Sequence, residues 1–438
     1  MTVRTTAFAL AAAAGLAASA SAQTVSGDII VMEGDALDGS TVASINAPFT
    51  TASGQVGLVL GLDDGTRSIW LGAGSIFNSG SVVGDTLSGG EGTMGITDAG
   101  QFVYSPSIAA GGASPDGDSL WTELGGIAFD NSPAFDFDPG FNNTFHSRPT
   151  MTDDGTIYWV SGTNDGAGGT STQNRILYQR TTDGTVTGLL RAGDNVGAAT
   201  VASAGGIDFD YSISSDNSQR VFIFNDANAG STASDATFSV NGVVIAQEGS
   251  ATGGGDNWDN FDGVSINNAG NYIHAGDTDG DTATDEFIAY NGNIVLREGG
   301  SLNDGTVLDG SVDALSLNEN GEAVFIWEID DAGGDIETLF YASDASNLAD
   351  AVGLLSVGDG YDSTGDGVAD WTVADFNASS GIGPGLDLAE DGFIFVEVDL
   401  ESLDGIDNLE AIIRIAVPAP GTLGLLALGG LAAVRRRR

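Results

Sequence analysis

The sequence predicts an all-β fold: a single β-propeller of seven four-stranded blades, closed by strands from the two ends of the chain. Two recurring units and the absence of a persuasive helical period between the ends predict it. The first unit is a polar turn of Asn, Asp or Ser, usually with Gly, followed by an alternating apolar strand. Its seven copies begin at Ala52, Asp98, Asp153, Asp216, Asn268, Glu319 and Glu390.

The second unit is an apolar strand that ends in Gly plus a small or acidic residue. Its copies end at Gly34-Asp35, Gly84-Asp85, Gly193-Asp194, Gly249-Ser250, Gly299-Gly300 and Gly358-Asp359. Seven repeats over residues 23–416 give about 56 residues each, which suits the blades of a propeller.

The repeat begins and ends at different points of its unit, and this offset predicts ring closure. The chain supplies a late strand at 28–32 with no early strands before it, and its last repeat has early strands at 393–400 and 410–416 with no late strand after them. The N-terminal strand can therefore complete the last blade and remove an exposed sheet edge. Other blade counts, β-sandwich domains in series and a solenoid remain open alternatives.

The N-terminal 22 residues have the composition of a secretory signal peptide. Arg4 provides a short positive start, an apolar run follows from Ala7 to Ala18, and Ala20-Ser21-Ala22 is a small-x-small cleavage site. We expect cleavage after Ala22 and export of the chain.

The last 22 residues, 417–438, combine a Pro motif at Val417 to Thr422, an apolar stretch and four terminal arginines. Residues 421–434 would form a helix of about 21 Å that engages the membrane, with Arg435 to Arg438 on the cytoplasmic side. This tail resembles the PEP-CTERM sorting signal, although Ala419 stands where that motif has Glu. The resemblance implies recognition by an exosortase-type sorting machinery, cleavage near the Pro motif and transfer to the cell surface or matrix.

The central repeats resemble the degenerate Asn-x-x-Gly repeats of uncharacterised proteins that often carry such tails. That resemblance covers most of residues 24–416. It implies a β-propeller-like fold and no assigned activity.

The composition excludes several classes of function. The formal net charge is −48, there is no cysteine, and all 13 basic residues are arginine. Disulfides, cysteine metal sites and lysine chemistry are therefore absent, and the acidic surface would repel a nucleic-acid backbone. Such a surface stays soluble in salty or calcium-containing water.

Two acidic loops are candidate calcium sites, since calcium takes six to eight oxygen ligands and a Gly-bent loop can direct several to one point. The loop at 362–370 resembles the calcium loops of dockerins and thrombospondin type 3 repeats. Its matching positions are Asp362, Thr364, Asp366 and Asp370. The second loop, 277–286, offers Asp277, Asp279, Asp281 and Asp285. Ordinary turn chemistry explains both loops equally simply.

Catalytic signatures are weak. The block Gly117-Asp118-Ser119-Leu120 names a hydrolase family, but Asn143 and Asn271 stand where its Asp-x-x-His would need Asp, so we interpret it as a chance match. We interpret His146 and His274 as packed residues. The six tryptophans suit either blade packing or sugar stacking, with packing the simpler reading.

We therefore expect an exported structural or binding protein of the bacterial cell surface or extracellular matrix, with extracellular polysaccharide as a candidate partner. The alternative is a secreted polysaccharide-processing hydrolase or lyase that uses Asp and Glu at the propeller mouth.

Overall fold

The structure is a computed structural model of the chain. It describes residues 23–89, 93–133, 135, 142–164, 174–202, 210–331, 334–377, 385–405 and 407–418. Within these ranges the fold is all-β, as predicted, and the only helical elements are three short 3-10 turns at Ser79–Ser81, Thr232–Ser234 and Leu348–Asp350. No helix among the described residues is long and apolar enough to cross a membrane. The predicted signal peptide at 1–22 and the membrane segment at 421–434 lie outside the described residues.

Six sheets are each built from one continuous stretch of chain. After β1 (Thr24–Ser26) and β2 (Asp28–Met32), sheet 1 contains β3 (Ala36–Leu37), β4 (Ser40–Ile45), β5 (Phe49–Thr50), β6 (Val56–Leu62), β7 (Arg67–Leu71) and β8 (Gly74–Asn78). Sheet 2 contains β9 (Leu87–Ser88), β10 (Met94–Ile96), β11 (Phe102–Tyr104), β12 (Ser107–Ile108), β13 (Gly117–Thr122) and β14 (Gly125–Phe129). Sheet 3 contains β15 (Asn142–Met151), β16 (Ile157–Asn164), β17 (Asn174–Arg180) and β18 (Val186–Arg191).

A small hairpin of β19 (Asn195–Val196) and β20 (Ala199–Thr200) leads into the second half. Sheet 4 contains β21 (Asp210–Ile213), β22 (Arg220–Asn225), β23 (Ala236–Val240) and β24 (Val243–Gln247). Sheet 5 contains β25 (Asp262–Ile266), β26 (Tyr272–Gly276), β27 (Phe287–Tyr290) and β28 (Asn293–Arg297). Sheet 6 contains β29 (Leu308–Leu317), β30 (Ala323–Asp331), β31 (Gly334–Ala342) and β32 (Val352–Ser356).

The remaining sheet, here the composite sheet, joins the two ends of the chain. It contains β33 (Gly360–Asp362), β34 (Trp371–Phe376), β35 (Leu386–Leu388), β36 (Phe393–Ser402) and β37 (Asn408–Ala416), together with β1 and β2. Strand β2 pairs antiparallel with β37 from Asp28 opposite Arg414 to Met32 opposite Ala411. The prediction that the N-terminal strand completes the last sheet is confirmed by this pairing.

The repeat is visible in the backbone of every sheet. Four strands of each sheet are counted here from the centre of the ring outwards, and the first, innermost strands are β5, β10, β15, β21, β25, β29 and β35. In this order the third and fourth strands form two residue pairs and then a β-bulge, for example between Ile288 and Ala289 in sheet 5 and between Leu339 and Phe340 in sheet 6. The second strands are apolar runs, because both of their faces pack against neighbouring sheets. In β6, for instance, all residues from Val56 to Leu62 are buried.

Hydrophobic cores lie between the sheets rather than within one central core. One cluster joins each successive pair from sheet 1 to sheet 6, another joins sheet 6 to the composite sheet, and another joins the composite sheet back to sheet 1. In that last cluster Ile412 and Phe395 pack with Leu58 and Leu60 of sheet 1. The sheets therefore form a closed ring with a β-propeller arrangement.

Candidate functional site

A cavity, here called the channel, lies at the centre of the ring. It has a volume of about 390 Å³, and the first strand of each sheet contributes residues to its wall. These inner strands are β5, β10, β15, β21, β25, β29 and β35. A cavity of this size is in the range that holds a small ligand, roughly 300–1,000 Å³.

The channel wall is strongly acidic. Among the described residues that line it, Arg148 is the one basic side chain. The acidic side chains are Asp153, Asp210, Asp262, Asp313, Glu319, Asp387 and Glu390. Because carboxylates accept hydrogen bonds and carry negative charge, the channel favours cations and hydroxyl donors and disfavours anions.

Hydroxyl groups occupy one level of the channel and link neighbouring inner strands. Ser212 Oγ accepts a hydrogen bond from Ile266 N–H at 3.3 Å, and Ser265 Oγ accepts one from Leu317 N–H at 3.1 Å. Each serine therefore fixes the height of the next strand in the ring. The equivalent position carries Thr150, Ser212, Ser265, Ser316 and Asp387 in five of the sheets.

Asp387 is the acidic member of this level. Its Oδ2 accepts hydrogen bonds from Thr50 N–H at 2.7 Å and Thr50 Oγ1 at 2.8 Å, and its Oδ1 accepts one from Ser316 Oγ at 3.1 Å. Burial raises the pKa of this carboxyl, and these hydrogen bonds oppose the shift. Asp387 therefore joins the composite sheet to sheet 1 on one side and to sheet 6 on the other.

One end of the channel, the loop mouth, lies where the inner strands begin. There Arg148 of β15 forms an ion pair with Asp210 of β21 and takes a left-handed backbone conformation with φ of 50°. Tyr211 Oη donates to the backbone oxygen of Arg148. These contacts hold the arginine across the junction of sheets 3 and 4.

Two further acids, Asp262 and Asp313, line the loop mouth on β25 and β29. Burial and the charge of Glu328 raise the pKa of Asp313 to about 6. Burial and the charge of Asp277 raise the pKa of Asp262. Asp313 Oδ2 is buried and has no hydrogen-bond partner among the described residues, and the same holds for Thr93 Oγ1 on the channel wall. These two atoms are available to a ligand.

The opposite end, the turn mouth, is formed by the hairpins between the first and second strands. These are the seven turns that the sequence repeat predicts. In each, the residue that opens the hairpin donates its N–H to the carbonyl of the residue that closes it, as Asn267 does to Asn271. The turns are hydrogen-bonded to one another. Asn268 N–H donates to Glu319 Oε2 at 2.8 Å, Glu319 N–H donates to Glu390 Oε1 at 2.7 Å, and Asp216 N–H donates to Asn268 Oδ1 at 2.9 Å.

The surroundings of the acids at the turn mouth disfavour their charged forms. Burial is the main cause of raised pKa values at Asp153, Glu319 and Glu390, and the charges of neighbouring turn carboxylates add to it. Close spacing of these carboxylates therefore disfavours the simultaneous ionisation of all of them.

In the first predicted calcium loop, 362–370, the carboxylate oxygens of Asp362 and Asp370 accept hydrogen bonds from the loop itself. Asp362 is fully buried, and its carboxylate accepts the N–H groups of Thr364, Gly365, Asp366 and Gly367 at 2.6 to 3.3 Å. These bonds hold the pKa of Asp362 at about 2, although burial opposes them. Asp370 accepts from Ser363 N–H at 2.9 Å, so its carboxylate also serves the turn.

The second predicted loop is spread along a hairpin between β26 and β27. Asp279 accepts from Asn257 N–H at 2.7 Å, and Asp281 accepts from Ala283 N–H at 3.3 Å. Asp277 and Asp285 contact different carboxyl groups, those of Glu286 and Glu298. No group of three or more His, Asp or Glu side chains within the described ranges is arranged to hold a metal ion. The calcium assignment stays a prediction.

The histidines are packed in the interior, as interpreted from the sequence. His146 is 1% exposed and His274 is fully buried, and burial lowers the pKa of both to about 4. His274 lies in an aromatic cluster with Trp258 and Phe238. Five of the six tryptophans are buried, and none lines the described part of the channel. Ser119 of the hydrolase-like block is fully buried and donates to Pro106 O at 2.7 Å.

Sequence reasoning missed the channel residues, although a signal for them exists. In five of the sheets the Ser, Thr and Asp side chains of the hydroxyl level lie three or four residues before the start of the predicted turn, for example Ser265 before Asn268 and Ser316 before Glu319. Aligning the repeats on their turns would have exposed this small polar position in otherwise apolar strands.

Comparisons with known proteins give only distant similarities. No family model and no curated protein matches the chain. The chain is similar to the WD40 β-propeller domain of Doa1 at 13% identity, with a TM-score of 0.31 over 89% of this chain and 97% of that one. It is similar to the catalytic domain of a Coprinopsis cinerea GH62 α-L-arabinofuranosidase at 11% identity, with a TM-score of 0.27 over 61% and 90%.

A third similar structure is the PQQ-bound aldose sugar dehydrogenase of Streptomyces coelicolor, at 12% identity and a TM-score of 0.26 over 86% of this chain and 97% of that one. TM-scores of this size establish neither a shared fold nor a shared activity. The propeller arrangement rests on the strand pairings and inter-sheet cores of the chain itself.

Proposed function

We propose that the chain is an exported binding protein of the bacterial cell surface or extracellular matrix, and that its channel takes a neutral or amine-bearing sugar unit of an extracellular polysaccharide. The observation that carries this proposal is the channel wall, where carboxylates and hydroxyls from six of the seven inner strands surround one cavity. Sugar hydroxyls donate to carboxylates, whereas uronic acids would be repelled.

We further propose that each sheet is one blade and that the ring has seven. The closed series of inter-sheet cores supports this count, because the composite sheet packs against both sheet 6 and sheet 1. Export through the 1–22 segment and sorting through the 417–438 tail are part of the same proposal. Mass spectrometry of the protein released by its host would test both cleavages.

Binding is tested by isothermal titration calorimetry with neutral, amine-bearing and uronate oligosaccharides. We expect the first two classes to bind and the uronates to fail. Asp313→Asn should weaken binding about tenfold, since it removes a charged hydrogen-bond acceptor from the wall. Asp335→Asn is the matched control, because Asp335 is exposed on β31 outside the channel. Equal affinity for all three classes would contradict the proposal.

Calcium binding at the two acidic loops is a separate proposal, supported by the number of oxygen donors in each. Thermal unfolding in excess EDTA and then in millimolar calcium tests it. A ligand at a hundred times its dissociation constant adds about 2.7 kcal/mol to the free energy of unfolding. A shift that magnesium reproduces at the same ionic strength would contradict a specific site.

The second candidate function is polysaccharide cleavage by acid–base chemistry. It is favoured by Asp313, whose pKa of about 6 suits a general acid, and by Asp262 on the neighbouring inner strand. Reducing-end assays on the oligosaccharides that bind would separate the two functions. Product formation that Asp313→Asn abolishes would favour polysaccharide cleavage. Binding without product formation would favour the binding protein.

A further inference from the structure

The N-terminal segment of the described chain is held by the loop that follows β32. Strand β1 pairs in parallel with β33, with Thr24 opposite Gly360 and Ser26 opposite Asp362. Gly360 N–H donates to Gln23 O at 2.8 Å, and Ser26 Oγ donates to Asp362 Oδ2 at 3.0 Å. The loop that resembles a calcium site therefore holds the segment that begins at Gln23.

The crossing from β1 to β2 depends on Gly27. A Cβ at Gly27 would lie 2.4 Å from Arg414 O and 2.5 Å from Tyr361 Oη, which is too close for any other residue. Tyr361 is itself fully buried and donates to Asp28 O at 3.1 Å. This close approach fixes the position of Gln23 relative to the loop.

Asp359 contacts the backbone nitrogen of Gln23. Its Oδ2 accepts Ser356 N–H at 3.0 Å and thereby closes the turn after β32. Asp35 and Asp194 close the equivalent turns in the same way, through Met32 N–H and Arg191 N–H at 2.9 Å. In Asp359 the other oxygen, Oδ1, accepts Gln23 N–H at 2.8 Å, and the residue is only 6% exposed.

We propose that Asp359 is the binding site for the α-ammonium group that signal-peptide cleavage creates at Gln23. A signal peptidase would hydrolyse the Ala22–Gln23 bond, with water adding hydroxyl to the Ala22 carbonyl carbon and a proton to the Gln23 nitrogen. That nitrogen becomes an ammonium at neutral pH. Cleavage converts an amide–carboxylate hydrogen bond into an ammonium–carboxylate ion pair and tightens the closure of the ring.

This inference rests on the proposed export, and the chain offers a selective chemical test of it. The sequence contains no lysine, so the α-amine of a chain that begins at Gln23 is its only amine. Acetylation removes the charge and retains one N–H, whereas reductive dimethylation retains the charge. Hydrogen exchange of the Gly27 and Gly360 amides reports the opening of the β1–β33 pairing.

We expect acetylation to speed exchange at these two amides roughly threefold to tenfold and dimethylation to leave it near the unmodified rate. In Asp359→Asn the exchange should be fast and insensitive to acetylation. Asp194→Asn is the matched control, because it alters the equivalent turn of sheet 3, and there the acetylation effect should persist.

Unchanged exchange after acetylation would overturn the ammonium–Asp359 pair. The maturation step is tested separately by the N-terminal mass of the exported protein. A mass that begins at another residue would overturn that step, whatever the exchange experiment shows for the chain prepared from Gln23.

Discussion

Pairs of neighbouring carboxyl groups lie at the junctions between sheets. Glu397 of β36 is 7% exposed and hydrogen-bonds Glu410 of β37, whose Oε2 accepts Ile45 N–H of sheet 1 at 2.8 Å. Burial is the largest cause that raises the pKa of Glu397 to about 9, followed by the bond to Glu410 and the charges of Glu410 and Asp399. Glu286 with Asp277 forms a similar pair. Such pairs hold a proton that the unfolded chain would release.

The free energy of unfolding should therefore fall as the pH rises from about 5 to 9. The folded protein keeps the Glu397 proton above the ordinary pKa of glutamate, so it binds more protons than the unfolded chain in this range. Glu397→Gln should flatten the dependence by up to about 1.4 kcal/mol per pH unit, measured by urea unfolding at several pH values. Glu401→Gln, on the exposed part of the same strand, should leave the slope unchanged. An identical slope in both variants would contradict the shared proton.

The turn between the first and second strands is the element that repeats most faithfully. Gly270 in sheet 5 has φ of 79°, and Asn217 takes the same left-handed conformation in sheet 4 with φ of 65°. Side chains other than Asn and Asp adopt this region at a cost of about 1–2 kcal/mol. This explains why the sequence repeat tolerates Asn but otherwise uses Gly.

Gly270→Ala should lower the free energy of unfolding by about 1–2 kcal/mol, and Gly270→Asn should lower it by less. Both substitutions add a Cβ near Gln219, so the difference between their free energies of unfolding reports the backbone strain alone. Equilibrium denaturation in urea measures both variants. Equal losses would show that the contact with Gln219, rather than the backbone conformation, sets the cost.

At the scale of the whole molecule, the sequence predicted the repeating turns, the all-β class and the strand that closes the ring. These follow from local patterns, since Gly, Asn and apolar alternation act within a few residues. The channel was not predictable in the same way. Asp387 meets Thr50 and Ser316 only after the ring closes, across separations of 337 and 71 residues. The loop at 362–370 shows that a local pattern can also mislead. Its Asp and Gly residues resemble a calcium site, but in the structure Asp362 accepts hydrogen bonds within its own turn and from Ser26 of β1.

If β2 and β37 close the ring by pairing, an engineered disulfide between these two strands should form. Asp28 and Arg414 lie opposite each other on these strands and form an ion pair. Opposed residues of an antiparallel pair have Cα atoms about 4.5–5.5 Å apart, within the range that a disulfide spans. Since the chain has no native cysteine, Asp28→Cys with Arg414→Cys introduces the only possible disulfide.

We expect this double variant to oxidise spontaneously and to unfold at higher temperature than its reduced form. The bond closes a loop of nearly the whole chain, for which chain entropy gives roughly 6 kcal/mol. Asp28→Cys with Arg220→Cys is the control, because Arg220 lies in sheet 4 on another part of the ring, and its thiols should stay free. Thiol titration and melting with and without reductant measure both. Free thiols in the Asp28–Arg414 variant would contradict closure by these strands, whereas oxidation there alone would locate both ends of the chain in one sheet.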